Sequence, residues 1–300
     1  MNRGIIYACI AYGLWGILPV YWKLLESIPA YELLCHRIFW TFVTVMALMV
    51  VRRQFNWLAG VFRNRKTMIM FLGSSILIGF NWFTYIWAVQ SGYVVEASLG
   101  YFINPLVNVL LGVIFLKERL RRGQLTAILM AAAGVLYLTF SYGSFPYIAL
   151  VLAGSFGMYG LLRKTAPLNA LEGLGLELMT LILPVVGFLT YLNTSHIAAV
   201  HYGVDRISIM LVFTGVITTI PLIMFAAAAR RITLTTLGLT QYIAPTLQFL
   251  IGVFMFHEPF TRVRFVGFSI VWIALIIYTT ENIFAHYKIV KLQRGVCNAN

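Results

Sequence analysis

The sequence predicts an all-α polytopic membrane protein whose ten transmembrane helices form two inverted five-helix repeats. The first observation is composition: 61% of the 300 residues are apolar and 10% are charged, whereas soluble chains are about a quarter charged. The second is a set of ten apolar runs, each long enough to cross about 30 Å of hydrocarbon. The third is a stretch of 22 residues that occurs twice, 140 residues apart. Repeats of this kind in a membrane chain are typical of transporters.

The ten predicted spans are separated by short loops. In chain order they cover residues 4–25, 30–51, 68–90, 94–116, 123–141, 145–163, 172–192, 207–229, 234–256 and 264–283. The first run is too long for the apolar core of a signal peptide and lacks a small-residue cleavage site, so we interpret it as a retained span. Residues 1–142 then form the first repeat, 143–285 the second repeat and 286–300 a cytoplasmic basic tail. Because each repeat has an odd number of spans, the second is inverted relative to the first.

Lysine and arginine are unevenly divided between the two sets of loops. With the N-terminus in the cytoplasm, 17 of the 22 basic residues lie in cytoplasmic segments and four lie in outer loops. The positive-inside rule therefore predicts that both termini are cytoplasmic. The net charge of +13 is confined largely to these short loops, so it does not indicate nucleic-acid binding. The basic loop at residues 52–67 can instead contact anionic lipid headgroups.

The duplicated stretch covers residues 101–122 and again residues 241–262. Each copy is an apolar helix interrupted by proline, followed by glycine and by a charged turn that contains glutamate. Seven identities in 22 positions exceed the roughly two that composition alone would give. The identical pairs are Ile103 and Ile243, Pro105 and Pro245, Leu110 and Leu250, Gly112 and Gly252, Val113 and Val253, Glu118 and Glu258, and Arg122 and Arg262. Because Glu118 and Glu258 lie at span ends, we expect them to cap and orient helices rather than to bind a ligand.

Polar and aromatic side chains within the spans predict a cavity between the repeats. A proline in mid-span frees a backbone carbonyl one turn earlier, and such breaks persist in a bilayer where they are buried or line a cavity. The alternative is structural, with kinked helices, amides that hydrogen-bond between helices and aromatics that pack in the core or against lipid. The predicted substrate-cavity residues are Tyr12, Trp15, Asn81, Tyr85, Tyr101, Asn104, Pro105, Asn108, Tyr159, Gln241, Tyr242, Pro245 and Gln248.

Ionisable residues at membrane depth form a second group of candidates, because placing a charge in the bilayer costs free energy and charged residues there are rare. Arg37 lies about 10 Å below the outer end of the second span, close to His36 and Glu32. Arg37 could anchor a substrate or act as a gate, or it could snorkel to the surface or tie its span to a neighbour. Glu96 and Glu177 could carry a coupling proton or form structural ion pairs. The gate or coupling candidates are Arg37, His36, Glu96 and Glu177.

Signals for catalysis and for bound cofactors are absent from the sequence. It contains no Walker motif, dinucleotide fingerprint, HExxH motif or serine nucleophile elbow. The three cysteines have neither metal-ligand nor disulfide spacing. We therefore predict no enzymatic activity, no cofactor and no metal site.

Longer motifs resemble a known family. The Pro–Gly–Glu pattern in both halves resembles the EamA-type repeats of the drug/metabolite transporter superfamily. YGLWGILPVYWK (12–23), ELLCHRIFW (32–40), PLIMFAAAARR (221–231) and GLTQYIAPTLQFLIGVFMFHEPF (238–260) are similar to its RarD branch. The resemblance covers nearly the whole chain and implies a ten-span inverted-repeat fold in a bacterial inner membrane. It also implies a central cavity lined chiefly by spans 1, 3, 4, 6, 8 and 9, and it matches Arg37 to a recurrent arginine of the second span. The smaller multidrug relatives carry an acid in their first span, and this chain has none there.

We therefore expect a secondary transporter that exports small organic solutes, metabolites or drugs, by alternating access. Its expected partners are the small-molecule substrate and the lipid bilayer, with proton coupling and facilitated diffusion both open. We expect a monomer or weak homodimer that binds no nucleic acid. The alternative from another class is a non-transporting membrane sensor or scaffold, which would need loops long enough to fold independently.

Overall fold

The computed structural model describes residues 3–91, 93–142, 145–200, 203, 205–255 and 261–297, which form twelve α-helices and no strand. The helices are α1 (Arg3–Lys23), α2 (Ala30–Val51), α3 (Trp57–Arg63), α4 (Arg65–Gln90), α5 (Val94–Leu116), α6 (Arg122–Tyr142), α7 (Tyr147–Thr165), α8 (Ala170–Thr194), α9 (Arg206–Ala229), α10 (Leu234–Gln241), α11 (Ile243–Phe254) and α12 (Arg262–Cys297). The predicted all-α class is therefore confirmed for this part of the chain.

The predicted spans match the helices closely, with differences in the last two. The ninth span, predicted as one helix, is broken at Tyr242 into α10 and α11. Pro245 accounts for the break, because it lacks the N–H that would donate to the carbonyl of Gln241 one turn earlier. The tenth span continues as α12 through most of the predicted tail at 286–300. The short helix α3, in the loop after α2, was not predicted.

Among the described residues, seven helices are long and apolar enough to cross a membrane: α1, α2, α4, α5, α6, α8 and α9. Ile69, Phe140 and Leu183 are 68, 79 and 78% exposed on the outside of the bundle, as expected for side chains that meet lipid. The chain is therefore a polytopic membrane protein. The other predicted spans fall short because α7 ends in charged residues, the break divides α10 from α11, and the apolar part of α12 is shorter.

Successive long helices run in alternate directions, so the bundle has two ends. We call the end where α1 begins the near end and the end where α1 finishes the far end. At the near end, Gly4 of α1 lies against Ile232, which precedes α10. At the far end, the Tyr21 hydroxyl of α1 donates to the carbonyl of Met210 on α9. The far end therefore holds the starts of α2, α5, α7 and α9.

Helix packing is matched between the two halves of the chain. We pair α1, α2, α4, α5 and α6, in order, with α7, α8, α9, α10–α11 and α12. Then α5 packs on α7 as α10–α11 packs on α1, α2 packs on α9 as α8 packs on α4, and α1 packs on α9 as α7 packs on α4. The self-paired contacts of α5 with α10, α2 with α8 and α6 with α12 also form. Contacts made by helices of one half therefore have counterparts among the helices of the other half.

A glutamate joins the two halves at the near end. Glu118, just after α5, accepts hydrogen bonds from the backbone N–H groups of Leu234 (2.6 Å) and Thr235 (3.0 Å) and from the Thr235 hydroxyl (2.8 Å). These donors would otherwise be unpaired at the start of α10, where the helix dipole also favours a negative charge. The predicted capping role of Glu118 is confirmed, whereas Glu258 lies outside the described residues.

Candidate functional site

A cavity of 170 Å³ lies between the two halves of the chain. A cavity that admits one water needs only roughly 10–15 Å³, so this one has room for a small organic molecule. Its lining comes from α1, α2, α4, α5, α7, α9, α10 and α11, and therefore from both halves. Nine of the thirteen predicted cavity residues line it: Tyr12, Trp15, Asn81, Tyr85, Tyr101, Asn104, Gln241, Pro245 and Gln248.

Nearly all of the lining lies in the far half of the bundle. The contribution of α1 falls within residues 12–22, towards its far-end finish. The contributions of α5, within residues 97–104, and of α7, at Leu152 and Phe156, fall towards their far-end starts. Tyr12 of α1, Leu222 of α9 and Gln241 of α10 are the exceptions, since they lie at mid-helix or in the near half of their spans. The cavity thus belongs to the far half of the molecule.

Aromatic rings close the near side of the cavity. Phe225 of α9 is fully buried and stacks on Tyr159 of α7, with ring centroids 5.9 Å apart and an interplanar angle of 10°. Phe225 also meets Tyr12 (6.2 Å) and Trp15 (5.7 Å) of α1, and Phe156 of α7 (5.3 Å). One ring of α9 therefore joins α1 to α7 below the cavity, and Tyr159 belongs to this seal.

Four predicted cavity residues lie outside the lining of this cavity: Pro105, Asn108, Tyr159 and Tyr242. Pro105 is buried where α5 crosses α10, and its carbonyl oxygen would be 2.7 Å from a Cβ at Gly238. Tyr242, at the break between α10 and α11, donates to the carbonyl of Phe102 at 3.2 Å. The sequence indicated the break beside Pro245, but residue type alone does not indicate which face of each helix meets the cavity.

Amide side chains of the lining fasten the surrounding helices to one another. Asn81 of α4 donates to the carbonyl of Leu152 on α7 at 2.9 Å. Gln248 of α11 donates to the carbonyl of Trp15 on α1 at 3.2 Å. The lining amides therefore act in part as the interhelical contacts of the structural interpretation.

A third set of amides crosses from α5 to α10. Asn108, behind the lining, donates to the Oδ1 of Asn104 and to the Oε1 of Gln241, both at 3.1 Å. Asn104 in turn donates to the carbonyl of Ala153 on α7 at 2.9 Å. Within the described part of the chain, the amide nitrogen of Gln241 has no acceptor, so it remains a free donor at the cavity.

Arg37 places a cation among the aromatic side chains of the cavity. Its guanidinium carbon lies 4.6 Å from the ring centroid of Trp82 and 5.3 Å from that of Trp22. Its Nε donates to the hydroxyl of Thr218 on α9 at 3.1 Å. No described carboxylate forms an ion pair with Arg37, and the side chain of Glu96 lies outside the described part. Arg37 thus ties α2 to α9 through one nitrogen and leaves two Nη groups without a described hydrogen-bond partner.

His36 belongs to a different contact at the far end. Its Nε2 lies 3.7 Å from the carboxylate of Glu32, and both residues line a second pocket beside α8. Glu32 also accepts hydrogen bonds from the backbone N–H groups of Ala199 (2.8 Å) and Val200 (2.9 Å). This pair therefore fastens α2 to the segment after α8 and lies apart from the main cavity.

Glu177 is buried in the near half, away from the cavity lining. Its carboxylate lies 3.5 Å from Nη1 of Arg163 and accepts hydrogen bonds from the hydroxyls of Ser74 and Tyr159. Arg163 also donates to the carbonyl of Ala170 at 2.8 Å. The geometry is that of a structural ion pair, and a role for Glu177 in proton coupling stays a prediction.

The lining residues that sequence analysis missed are mostly small or apolar. They are Leu18, Pro19, Trp22, Ala97, Gly100, Leu152, Phe156, Leu222 and Ala244. The spacing of Trp15, Pro19 and Trp22 along one helical face could have identified Trp22. Alanine and glycine carry no comparable signal, because they contribute little more than backbone. Among the described residues, no cluster of His, Cys, Asp or Glu could hold a metal ion.

Known proteins resemble this chain over most of its length. The model of the EamA-like transporter family matches residues 2–140. The "Uncharacterized transporter YojE" of Bacillus subtilis (strain 168) is 45% identical over 286 residues, which cover 94% of this chain and 95% of that protein. "Protein RarD" of Escherichia coli (strain K12) is 42% identical over 291 residues, covering 96% and 97%. A solved crystal structure has the same fold, with a TM-score of 0.68 at 18% identity over 93% of this chain and 98% of that one.

Proposed function

Because this chain belongs to the EamA-like transporter family and, within it, to the RarD-like proteins, we propose that it is a secondary transporter of small organic solutes. The solute, a metabolite or drug, passes through the cavity by alternating access. The observation that carries the proposal is a cavity formed jointly by both halves of the chain and closed at one end.

The architecture we propose has ten spans in two inverted repeats, residues 1–142 and 143–285. The matched helix contacts of the two halves support it, since related halves pack through related pairs. In this architecture α7, α10–α11 and α12 complete the ten spans. The modest hydropathy of α7 fits such a place, because many of its side chains are buried against neighbouring helices and few need to face lipid.

Alternating access requires two ends that open in turn, and the two ends of this bundle differ in the required way. The far half contains the cavity. The near half is sealed by the rings around Phe225 and by the bonds from Glu118 to α10. In a chain with related halves, an exchange of roles between the repeats opens the other end.

We propose that the near end faces the cytoplasm of a bacterium and that the far end faces outward across the inner membrane. The basic residues support this orientation, since Arg52, Arg53, Arg230 and Arg231 all follow helices that end at the near end, as the positive-inside rule requires. With its cavity in the far half, this conformation is then the outward-facing one, and we propose export as the direction of net transport.

The rival interpretation is a membrane sensor or scaffold that transports nothing. It requires a partner surface or a loop that folds independently. The longest predicted loop contains only the seven-residue helix α3. A sensor or scaffold would also have no use for a solute-sized cavity. Two of the relatives are named as transporters, not as enzymes or receptors, and these names also support a carrier.

Counterflow in proteoliposomes tests the proposal. Vesicles containing the purified protein are preloaded with one unlabelled solute from a panel of amino acids, other metabolites and amphenicol drugs, and the same labelled solute is added outside. We expect transient accumulation of at least one labelled solute without any imposed ion gradient, and none in protein-free vesicles. A lack of exchange across a broad panel, with protein that remains folded, would contradict the proposal.

A further inference from the structure

The cavity contains one formal charge among its described lining residues, and that charge is positive. Placing an arginine at the centre of a membrane costs about 3 kcal/mol on insertion scales. A buried charge is ordinarily paired with an opposite one, because removal from water is otherwise uncompensated. No described carboxylate pairs with Arg37. The cavity therefore has a deficit of negative charge that a solute can supply.

The surroundings of Arg37 determine which part of it remains available. The rings of Trp82 and Trp22 contact the guanidinium, as in cation–π pairs, and Thr218 accepts from Nε. The two Nη groups are left, and they form the forked edge that matches two oxygens of an oxyanion. These contacts fix the plane of the guanidinium before a ligand arrives, which reduces the entropy lost on binding.

The rest of the lining favours a flat organic body over a small inorganic anion. Seven of the lining side chains are aromatic, and the remainder are mostly apolar or amide. One arginine neutralises one negative charge, so a phosphate dianion would leave an uncompensated charge in the same low-dielectric space. A carboxylate on an aromatic group satisfies both conditions.

We infer that the cavity binds a small aromatic monocarboxylate, with the carboxylate on Arg37 and the ring against the aromatic wall. This inference rests on the proposed transport function, of which it names the substrate class. Its recognition elements are the Nη edge of Arg37 for the charge, Trp22 and Trp82 for the ring, and the free amide nitrogen of Gln241 for a polar substituent.

Matched probes that differ in charge test the inference by direct binding. The probes are 3-phenylpropionate, its neutral amide and the corresponding amine, titrated into the purified full-length protein by calorimetry. We expect the carboxylate to bind at least tenfold more tightly than the amide, and the amine to bind most weakly because its charge has the same sign as that of Arg37. Equal affinity for carboxylate and amide would overturn the inference, and so would tighter binding of 2-phenylethylphosphonate.

Variants assign the charge preference to one side chain. Arg37→Gln should abolish the preference for carboxylate over amide, and Arg37→Lys should retain only part of it because an ammonium lacks the fork. Arg206→Gln is the matched control: it removes an exposed arginine at the far end, outside the cavity, and should keep the preference. A cooperative thermal unfolding transition of Arg37→Gln verifies the fold. A preference that survives Arg37→Gln would overturn the inference.

The same probes in counterflow separate this inference from the proposed function. Exchange of the amide or the amine, but not of the carboxylate, would overturn the substrate class while leaving the carrier intact. Arginine-dependent binding of the carboxylate without exchange of any probe or of any solute in the broad panel would support the binding site and contradict transport.

Discussion

The near half of the bundle and the cavity in the far half differ in whether their charged side chains have partners. In the near half, Arg163 is paired with Glu177 at 3.5 Å, and Glu118 accepts three hydrogen bonds from the start of α10. In the far half, Arg37 lies in the cavity without a carboxylate partner among the described side chains. Charged groups at the sealed end therefore hold helices together, as Glu32 does at the far end, whereas Arg37 in the cavity has no carboxylate partner among the described side chains.

Removal of the near-half pair should have the largest effect on stability. Glu177→Gln leaves the buried Arg163 without its counter-charge, and breaking a buried pair in this way costs about 3–5 kcal/mol. The far-half counterpart, Arg37→Gln, breaks no ion pair within the described residues, only the hydrogen bond to Thr218 and the contacts with two tryptophan rings, and should cost less, about 1–2 kcal/mol. Thermal unfolding of the purified variants in one detergent compares the two, and similar losses would remove the distinction between the halves.

A double variant sharpens the same comparison. Apolar replacement of both partners, Glu177→Leu with Arg163→Met, should be more stable than Glu177→Gln alone, because no uncompensated charge remains.

The proton-coupling hypothesis predicts a different effect of Glu177→Gln. If Glu177 carries the coupling proton, transport by this variant should no longer depend on a pH gradient. Flux that remains dependent on the gradient would exclude that role.

The sequence predicted the helices well because each span requires a long apolar run, and such runs are visible in one dimension. It also identified Arg37 and Glu177 as unusual, because charge within a span is rare. It did not predict that the two residues have different environments. The partner of Glu177 is Arg163 on another helix, whereas Arg37 has no carboxylate partner among the described residues. The break at Tyr242 was likewise partly visible: Pro245 indicated it, although Pro105 leaves α5 continuous.

The near-end cap should have an intermediate effect. In Glu118→Gln a neutral amide replaces the carboxylate that receives the N–H groups of Leu234 and Thr235, and hydrogen bonds to charged groups contribute about 1.5–3 kcal/mol. We expect the variant to lose stability of that order, as measured by thermal unfolding. Because Glu118 joins the halves, the variant should also open the near end more often, which faster alkylation of Leu237→Cys would report from that fully buried position.

Glu172→Gln is the matched control for the cap. Glu172 receives the backbone N–H of Asn169 in a capping box of α8, within one half of the chain. Its replacement should cost about 1 kcal/mol and leave the alkylation rate of Leu237→Cys unchanged. Equal acceleration by both variants would mean that the cap at Glu118 is no more important to the seal than an ordinary helix cap.

The two prolines should give the smallest and most selective effects. Pro245 lines the cavity just after the break between α10 and α11, whereas Pro105 lies within continuous α5, outside the lining. Pro245→Ala restores a donor for the carbonyl of Gln241 and favours a continuous helix across Tyr242, which would move the lining. We expect counterflow to fall roughly tenfold, equivalent to about 1.4 kcal/mol.

Pro105→Ala is the comparison for that variant. It should lower counterflow by less, because the residue acts only through the crossing of α5 with α10, where its carbonyl faces Gly238. Initial rates normalised to inserted protein provide the measurement. Unchanged flux in both variants would show that neither proline is required for transport. Equal losses would instead mean that the two copies contribute alike, and that the break in α10–α11 is a feature of one conformation rather than a difference between the repeats.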